Sequence, residues 1–118
     1  MHNFKELKVW QKTRMMVKEV YMIPSKFPAT ERYNLIAQMR SCSVSVMPNI
    51  AEGAGRGTDA DFARFLDMSL GSAYELESQL IVSSDLDYLS QEVFDGIIDK
   101  VSEIQKMLIG LINKFKKK

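Results

Sequence analysis

Between Tyr33 and Ala51 the chain carries one charged residue, Arg40. The stretch closes on Asn49-Ile50-Ala51-Glu52-Gly53-Ala54-Gly55-Arg56, a helix-ending pattern with polar groups packed into it. A helix that is apolar or small nearly all round must be covered on more than one side. In a chain of 118 residues one core covers only part of such a helix. A second subunit is therefore expected to cover the rest.

Four segments have helical periodicity, with short breaks and no strand pattern or repeat. The first, over residues 5–23, places Val9, Trp10, Thr13, Met16, Val17, Val20 and Tyr21 on one face. Pro24 and Pro28 bracket the following break. Proline lacks an amide hydrogen and sits at helix ends or first turns. The second helix, 30–52, has Thr30 as N-cap. Pro48 is expected to bend it near Val44. Gly53 and Gly55 are expected to end it with a positive φ. The third, 59–86, begins at a capping box of Thr58 with Asp61. Its centre is small, and Gly71, costing about 1 kcal/mol against alanine, is expected to serve close helix packing. The fourth, 91–115, has Ser90 as N-cap. Its acidic line of Asp95, Asp99 and Glu103 calls for a basic neighbour. The expected fold is all-α: one domain over residues 1–118, an antiparallel up-down-up-down four-helix bundle about 30–40 Å long.

The overall charge of +1 conceals a pattern. Residues 1–56 hold nine Lys/Arg and four Asp/Glu, giving +5; residues 57–113 hold three and eleven, giving −8; the tail from Lys114 gives +4. Such asymmetry fits a nucleic-acid surface, or basic helices lying beside acidic ones. The lone Cys42 excludes an intrachain disulfide and suits a reducing cytosol. No leader pattern opens the chain and no run of about 18 apolar residues would span a membrane, so a cytoplasmic protein is expected.

Little chemistry is visible. His2, the single histidine, is expected at a mobile terminus, and Cys42 as a small buried hydrophobe. No Glu-x-x-His pairs suggest a di-iron centre. Gly53-x-Gly55 opens no phosphate loop. No catalytic residue, metal or cofactor is expected. Arg40, Asn49, Glu52, Arg56, Glu75 and Glu77 are the polar residues set nearest apolar ones, and a paired structural network is expected of them. Arg40 should meet a carboxylate or backbone, Glu75 or Glu77 first, and Glu52 the backbone of its turn. A hydrolase using Glu52 and Glu75 is the catalytic alternative. The binding candidates are Lys5, Lys8, Lys12, Arg14 and Lys18 of the first helix, with Lys114, Lys116 and Lys117 of the tail. Such residues neutralise phosphates of RNA or DNA without reading bases. Met15 and Met22 suit an adaptable protein contact instead.

With these segments placed, the chain resembles the four-helix-bundle proteins encoded in intervening sequences of bacterial 23S rRNA genes. Leu7-x-Val9-Trp10-Gln11-Lys12 is similar to that family's opening. Phe27-Pro28-x-x-Glu31-Arg32-Tyr33-x-Leu35, then Gln38-x-Arg40, Ser45 and Asn49 through Arg56, resembles its central signature. Phe62-x-x-Phe65-Leu66 and Gly71-Ser72-x-x-Glu75-Leu76-Glu77 resemble its third part. The match covers residues 4–90, and Pro48 departs from it. The resemblance implies a homopentameric ring of bundles. It also points to a related accessory protein of diversity-generating retroelements, where a basic surface binds nucleic acid and a reverse transcriptase. The resulting expectation is a non-enzymatic homo-oligomer that binds RNA or DNA. The alternative is a protein-interaction scaffold, for instance for a reverse transcriptase.

Overall fold

The computed structural model describes residues 1–23 and 27–116, without the side chains of Arg32 and Tyr33. Four helices make the fold, and no strand occurs among the described residues. The predicted break at Pro24–Lys26 and the end of the tail at Lys117 lie outside them.

Helix α1 spans Lys8–Tyr21 and follows a 3-10 turn, Phe4–Glu6, capped by the Asn3 side chain. Its buried residues are Val9, Thr13, Met16 and Val20, spaced four, three and four apart as one helix face requires. The Thr13 hydroxyl donates to the Val9 carbonyl at 2.7 Å. Tyr21, expected on this face, is exposed. It lies one residue, about 100°, past the stripe.

Helix α2 spans Ala37–Ala54 and is preceded by a helical turn, Ala29–Glu31, and a π-helical segment, Arg32–Ile36. Thr30 is therefore inside a turn rather than at the expected cap. Pro48 is exposed, and α2 runs through it unbroken. Gly53 and Gly55 do not have the expected positive φ; no glycine does. Gly53 is a buried helical residue and Gly55 has φ −84°.

Helix α3 spans Asp59–Asp85, and the Thr58 hydroxyl accepts from the Asp61 amide at 3.2 Å, the predicted cap. Its far end holds the left-handed residue that the sequence did not announce, Asp87 at φ 61°. The Tyr88 amide donates to the Ser83 carbonyl and the Asp87 amide to that of Ser84. That pair of bonds closes a helix end in the Schellman manner. Helix α4 spans Gln91–Lys116, with the Ser90 hydroxyl accepting from the Val93 amide at 3.2 Å, again as predicted.

Helix α2 packs on α3, α3 on α4, and α1 on both α2 and α4. Met16, Met39, Val46, Ile50, Leu66, Leu76, Leu80 and Leu108 fill the space between them. At one end the His2 amide donates to the Ala54 carbonyl at 2.7 Å. The His2 ring lies 5.1 Å from Phe62 and 5.4 Å from Phe115, so this terminus is docked rather than loose. At the other end Phe27 meets Tyr88 at 5.1 Å. The molecule measures 46 × 21 × 20 Å.

Helices α2 and α3 meet through small residues. A Cβ built on Gly53 would stand 2.6 Å from Phe65 Cβ and 2.9 Å from Phe62. The glycine is required by close approach, not by its φ. Further along, the buried Ser69 hydroxyl donates to the Val46 carbonyl at 2.8 Å, and Ser45 and Ser72 share a hydrogen bond of 2.9 Å. Gln79 donates to Gln38 at 3.2 Å. Gly71 was expected in this contact but is exposed, with nothing within 4 Å of its Cβ position. Cys42 is half-buried, and its thiol donates to Glu75 Oε2 at 3.5 Å. Burial first, then the Glu75 hydrogen bond and charge, push the thiol pKa above its ordinary value.

Two predictions follow from this seam. Gly53→Ala should cost about 1–3 kcal/mol through overpacking, although alanine has the higher helix propensity. Gly71→Ala should instead gain up to about 1 kcal/mol, and urea unfolding of the two variants would show opposite signs. For Cys42, iodoacetamide alkylation at about pH 8 should be slower than for a free thiol, because the thiolate reacts. Glu75→Gln should speed it and shift the pH–rate curve to lower pH. An unshifted curve would exclude the carboxylate as a cause.

Candidate nucleic-acid interface

The basic residues come from two segments far apart in sequence. Lys5, Lys8, Arg14 and Lys18 on and before α1 are exposed, as are Lys114 and Lys116 in the last turn of α4. None of the six forms an ion pair among the described residues. Aromatic rings lie beneath three of them. Lys5 Nζ is 6.0 Å from the Phe4 ring, Arg14 is 5.9 Å from Trp10, and Lys114 Nζ is 5.6 Å from Phe115. Such stacking fixes the stems while leaving the charge in water.

Packing of α1 on α4 sets Leu7, Lys8 and Val9 beside Met107, Gly110 and Leu111. Lys114 is one turn beyond Gly110. Lys5, Lys8, Lys114 and Lys116 thus gather at the end where His2 meets Phe115. Arg14 and Lys18 lie farther along α1, toward an end lined by Glu19 and Glu92. Lys12 is different: its ammonium pairs with Glu103 at 3.1 Å. Lys100 of α4 pairs in turn with Glu19 of α1. The first of these cross-pairs gives Glu103 the basic neighbour that the acidic line of α4 called for. Sequence reasoning counted Lys12 as a free phosphate ligand. The period shared by Asp95, Asp99 and Glu103 was the signal of its partner.

The expected polar network is dispersed. Arg40 donates to the Tyr21 carbonyl at 3.3 Å and stacks on the Tyr21 ring at 4.9 Å. It caps the end of α1 by way of backbone, and neither Glu75 nor Glu77 is its partner. Glu77 accepts from Gln105 of α4 at 3.0 Å, while Glu75 holds the Cys42 thiol. Asn49 donates to the Ser45 carbonyl at 2.9 Å within α2. Glu52 is exposed and pairs loosely with Arg56 at 3.8 Å, and Arg56 covers the Phe65 ring at 4.5 Å. Glu75 packs opposite Cys42, ten residues before Glu52 on α2. That is about 15 Å along the helix, so the two carboxylates do not share a cleft. No described helix is long and apolar enough to cross a membrane.

The chain is similar in structure to a crystallised protein of unknown function from the S23 ribosomal protein family of Bacteroides thetaiotaomicron. The two are 26% identical and align with a TM-score of 0.78 over 88% of this chain and 97% of the other. Among curated proteins nothing matches this chain. The family model described as 23S rRNA-intervening sequence protein matches residues 5–110. That match takes in α1, α2, α3 and most of α4, and the chain belongs to the 23S rRNA-intervening sequence protein family.

Proposed function

We propose that the protein is a non-enzymatic, cytoplasmic helical bundle that holds the phosphate backbone of RNA or DNA. The observation that carries this reading is the gathering of Lys5, Lys8, Lys114 and Lys116, unpaired and exposed, at one end. Point charges of this kind bind phosphates irrespective of base sequence. The family's connection with rRNA genes supports a nucleic-acid setting.

The helix pairs that pack, and the residues meeting at each end, support an up-down-up-down arrangement. They also leave the outer face of α2 charge-poor and several apolar side chains of α3 uncovered. Val44, Met68, Tyr74 and Val82 are exposed there alongside Pro48 and Gly71. Covering them in a ring of identical subunits answers the need for a second subunit, and repeated basic ends would then act together through multivalency. A second reading is a protein scaffold. It is favoured by Met15 on α1 and Met22 at its C-cap, which are 62% and 72% exposed.

The binding test is a salt-dependent titration against single-stranded RNA, single-stranded DNA and duplex DNA. Affinity should fall steeply as salt rises, through counterion release. Lys5→Glu with Lys8→Glu and Lys114→Glu should remove binding and leave the fold intact. Lys12 is kept, since its replacement would set a carboxylate against Glu103. Absence of binding by the native protein at about 50 mM salt would leave the scaffold reading. Light scattering should give a mass near five times 13.5 kDa; a monomer at micromolar concentration would rule out the ring.

A further inference from the structure

The seam between α1 and α4 opens into a hollow at each end and is bridged midway by Lys12–Glu103 and Lys100–Glu19. A hollow of about 310 Å³ lies at one end, floored by Gly96 and walled by Met22 and Ile23. One of about 300 Å³ lies at the other, floored by Gly110 and walled by Leu7 and Leu111. Between them a hollow of about 60 Å³ lies beside Met15 and Ile104, edged by the paired Lys12, Glu103 and Lys100. Gly96 and Gly110 are two heptads apart, so they fall on one face of α4. A Cβ on either would meet nothing within 4 Å. Each costs about 1 kcal/mol of helix stability against alanine, and the fold makes no contact that needs them.

The rim is polarised. Lys8 edges the hollow at the Gly110 end, with Lys114 one turn beyond. Glu19 and Glu92 edge the hollow at the Gly96 end. Glu19 Oε1 receives Lys100, but Glu19 Oε2 is buried without a hydrogen-bond donor among the described residues. A carboxylate oxygen in that position gains from a cationic donor.

We propose that this seam is a docking groove for one amphipathic α-helix of a partner protein. The helix lays its apolar face over Gly96, the exposed Met15 and Gly110. It brings a Lys or Arg to Glu19 and carboxylates to Lys8 and Lys114. The span from Leu7 to Ile23 sets its length at about 24 Å, roughly 16 residues. Exposed methionines at Met15 and Met22 suit a surface that repacks around a bound helix. The groove does not depend on nucleic-acid binding, although Lys8 and Lys114 belong to both surfaces.

The probe is a fluorescein-labelled 18-residue synthetic helix with an apolar i, i+3, i+4, i+7 stripe, arginines in one terminal third and glutamates in the other. Two companions carry the same stripe with an all-arginine or an all-glutamate polar face. Fluorescence polarisation should show the bipolar peptide binding about tenfold more tightly than either companion. Gly96→Leu with Gly110→Leu should abolish that binding while keeping or raising the thermal midpoint. In the native protein the peptide should slow hydrogen exchange across residues 96–111, a readout independent of the variants. Binding that survives both leucines, or no binding at about 100 μM peptide, overturns the proposal. So does a loss of oligomer mass in the leucine variant, which would assign the seam to a second copy of the chain.

Discussion

The backbones of α2 and α3 lie close enough at Gly53 that no Cβ fits between them and Phe65. That approach sets the position of Phe62, which in turn meets Phe115 at 4.9 Å and the ring of His2. Three helices and the chain's start therefore converge on a site that glycine opens. The same closeness brings Ser69 within reach of the Val46 carbonyl and Ser45 within reach of Ser72. Hydroxyls replace bulky apolar groups along this seam, and each buried hydroxyl has a partner, whereas Gln79 Oε1 is buried without one.

The α1–α4 seam is held differently. Apart from its buried stripe, it is bridged by Lys12–Glu103 and Lys100–Glu19, with side chains 40% to 52% exposed. Pairs that wet contribute at most about 1 kcal/mol each. They set register and orientation, and they use up one of the lysines that a charge count assigns to ligand binding. The unpaired cations are thereby densest at the end that holds Lys5, Lys8, Lys114 and Lys116, with Arg14 and Lys18 farther along α1.

Much of the fold was legible because it rests on periodicity and local chemistry. The stripe at Val9, Thr13, Met16 and Val20, the Thr58 cap and the Ser90 cap are each local signals. The misreadings share a cause. Gly53 carries a tertiary contact whose partner sits on another helix, so a local rule assigned it to a turn. Asp87 adopts φ 61° at a helix end where the sequence offers no glycine. Arg40 found backbone, one of its two expected partners, at the Tyr21 carbonyl rather than the favoured Glu75 or Glu77, because Tyr21 lies where its ring supports the guanidinium. The candidate binding residues were legible as a set by charge alone. Their sorting into paired and unpaired was not, since Glu103 lies 91 positions from Lys12.

Those separations bear on the order in which the chain acquires its structure. The hydrogen bonds joining α2 to α3 span 23 to 44 positions, whereas those joining α1 to α4 span 81 and 91. Loop-closure entropy makes the longer connection costlier by about 1 kcal/mol. The α2–α3 hairpin is thus the natural nucleus, with α4 added next and α1 last. By the same reasoning α1, a short helix of 14 residues held by a single buried stripe and weak exposed ion pairs, is the first element to detach in partial opening of the native state.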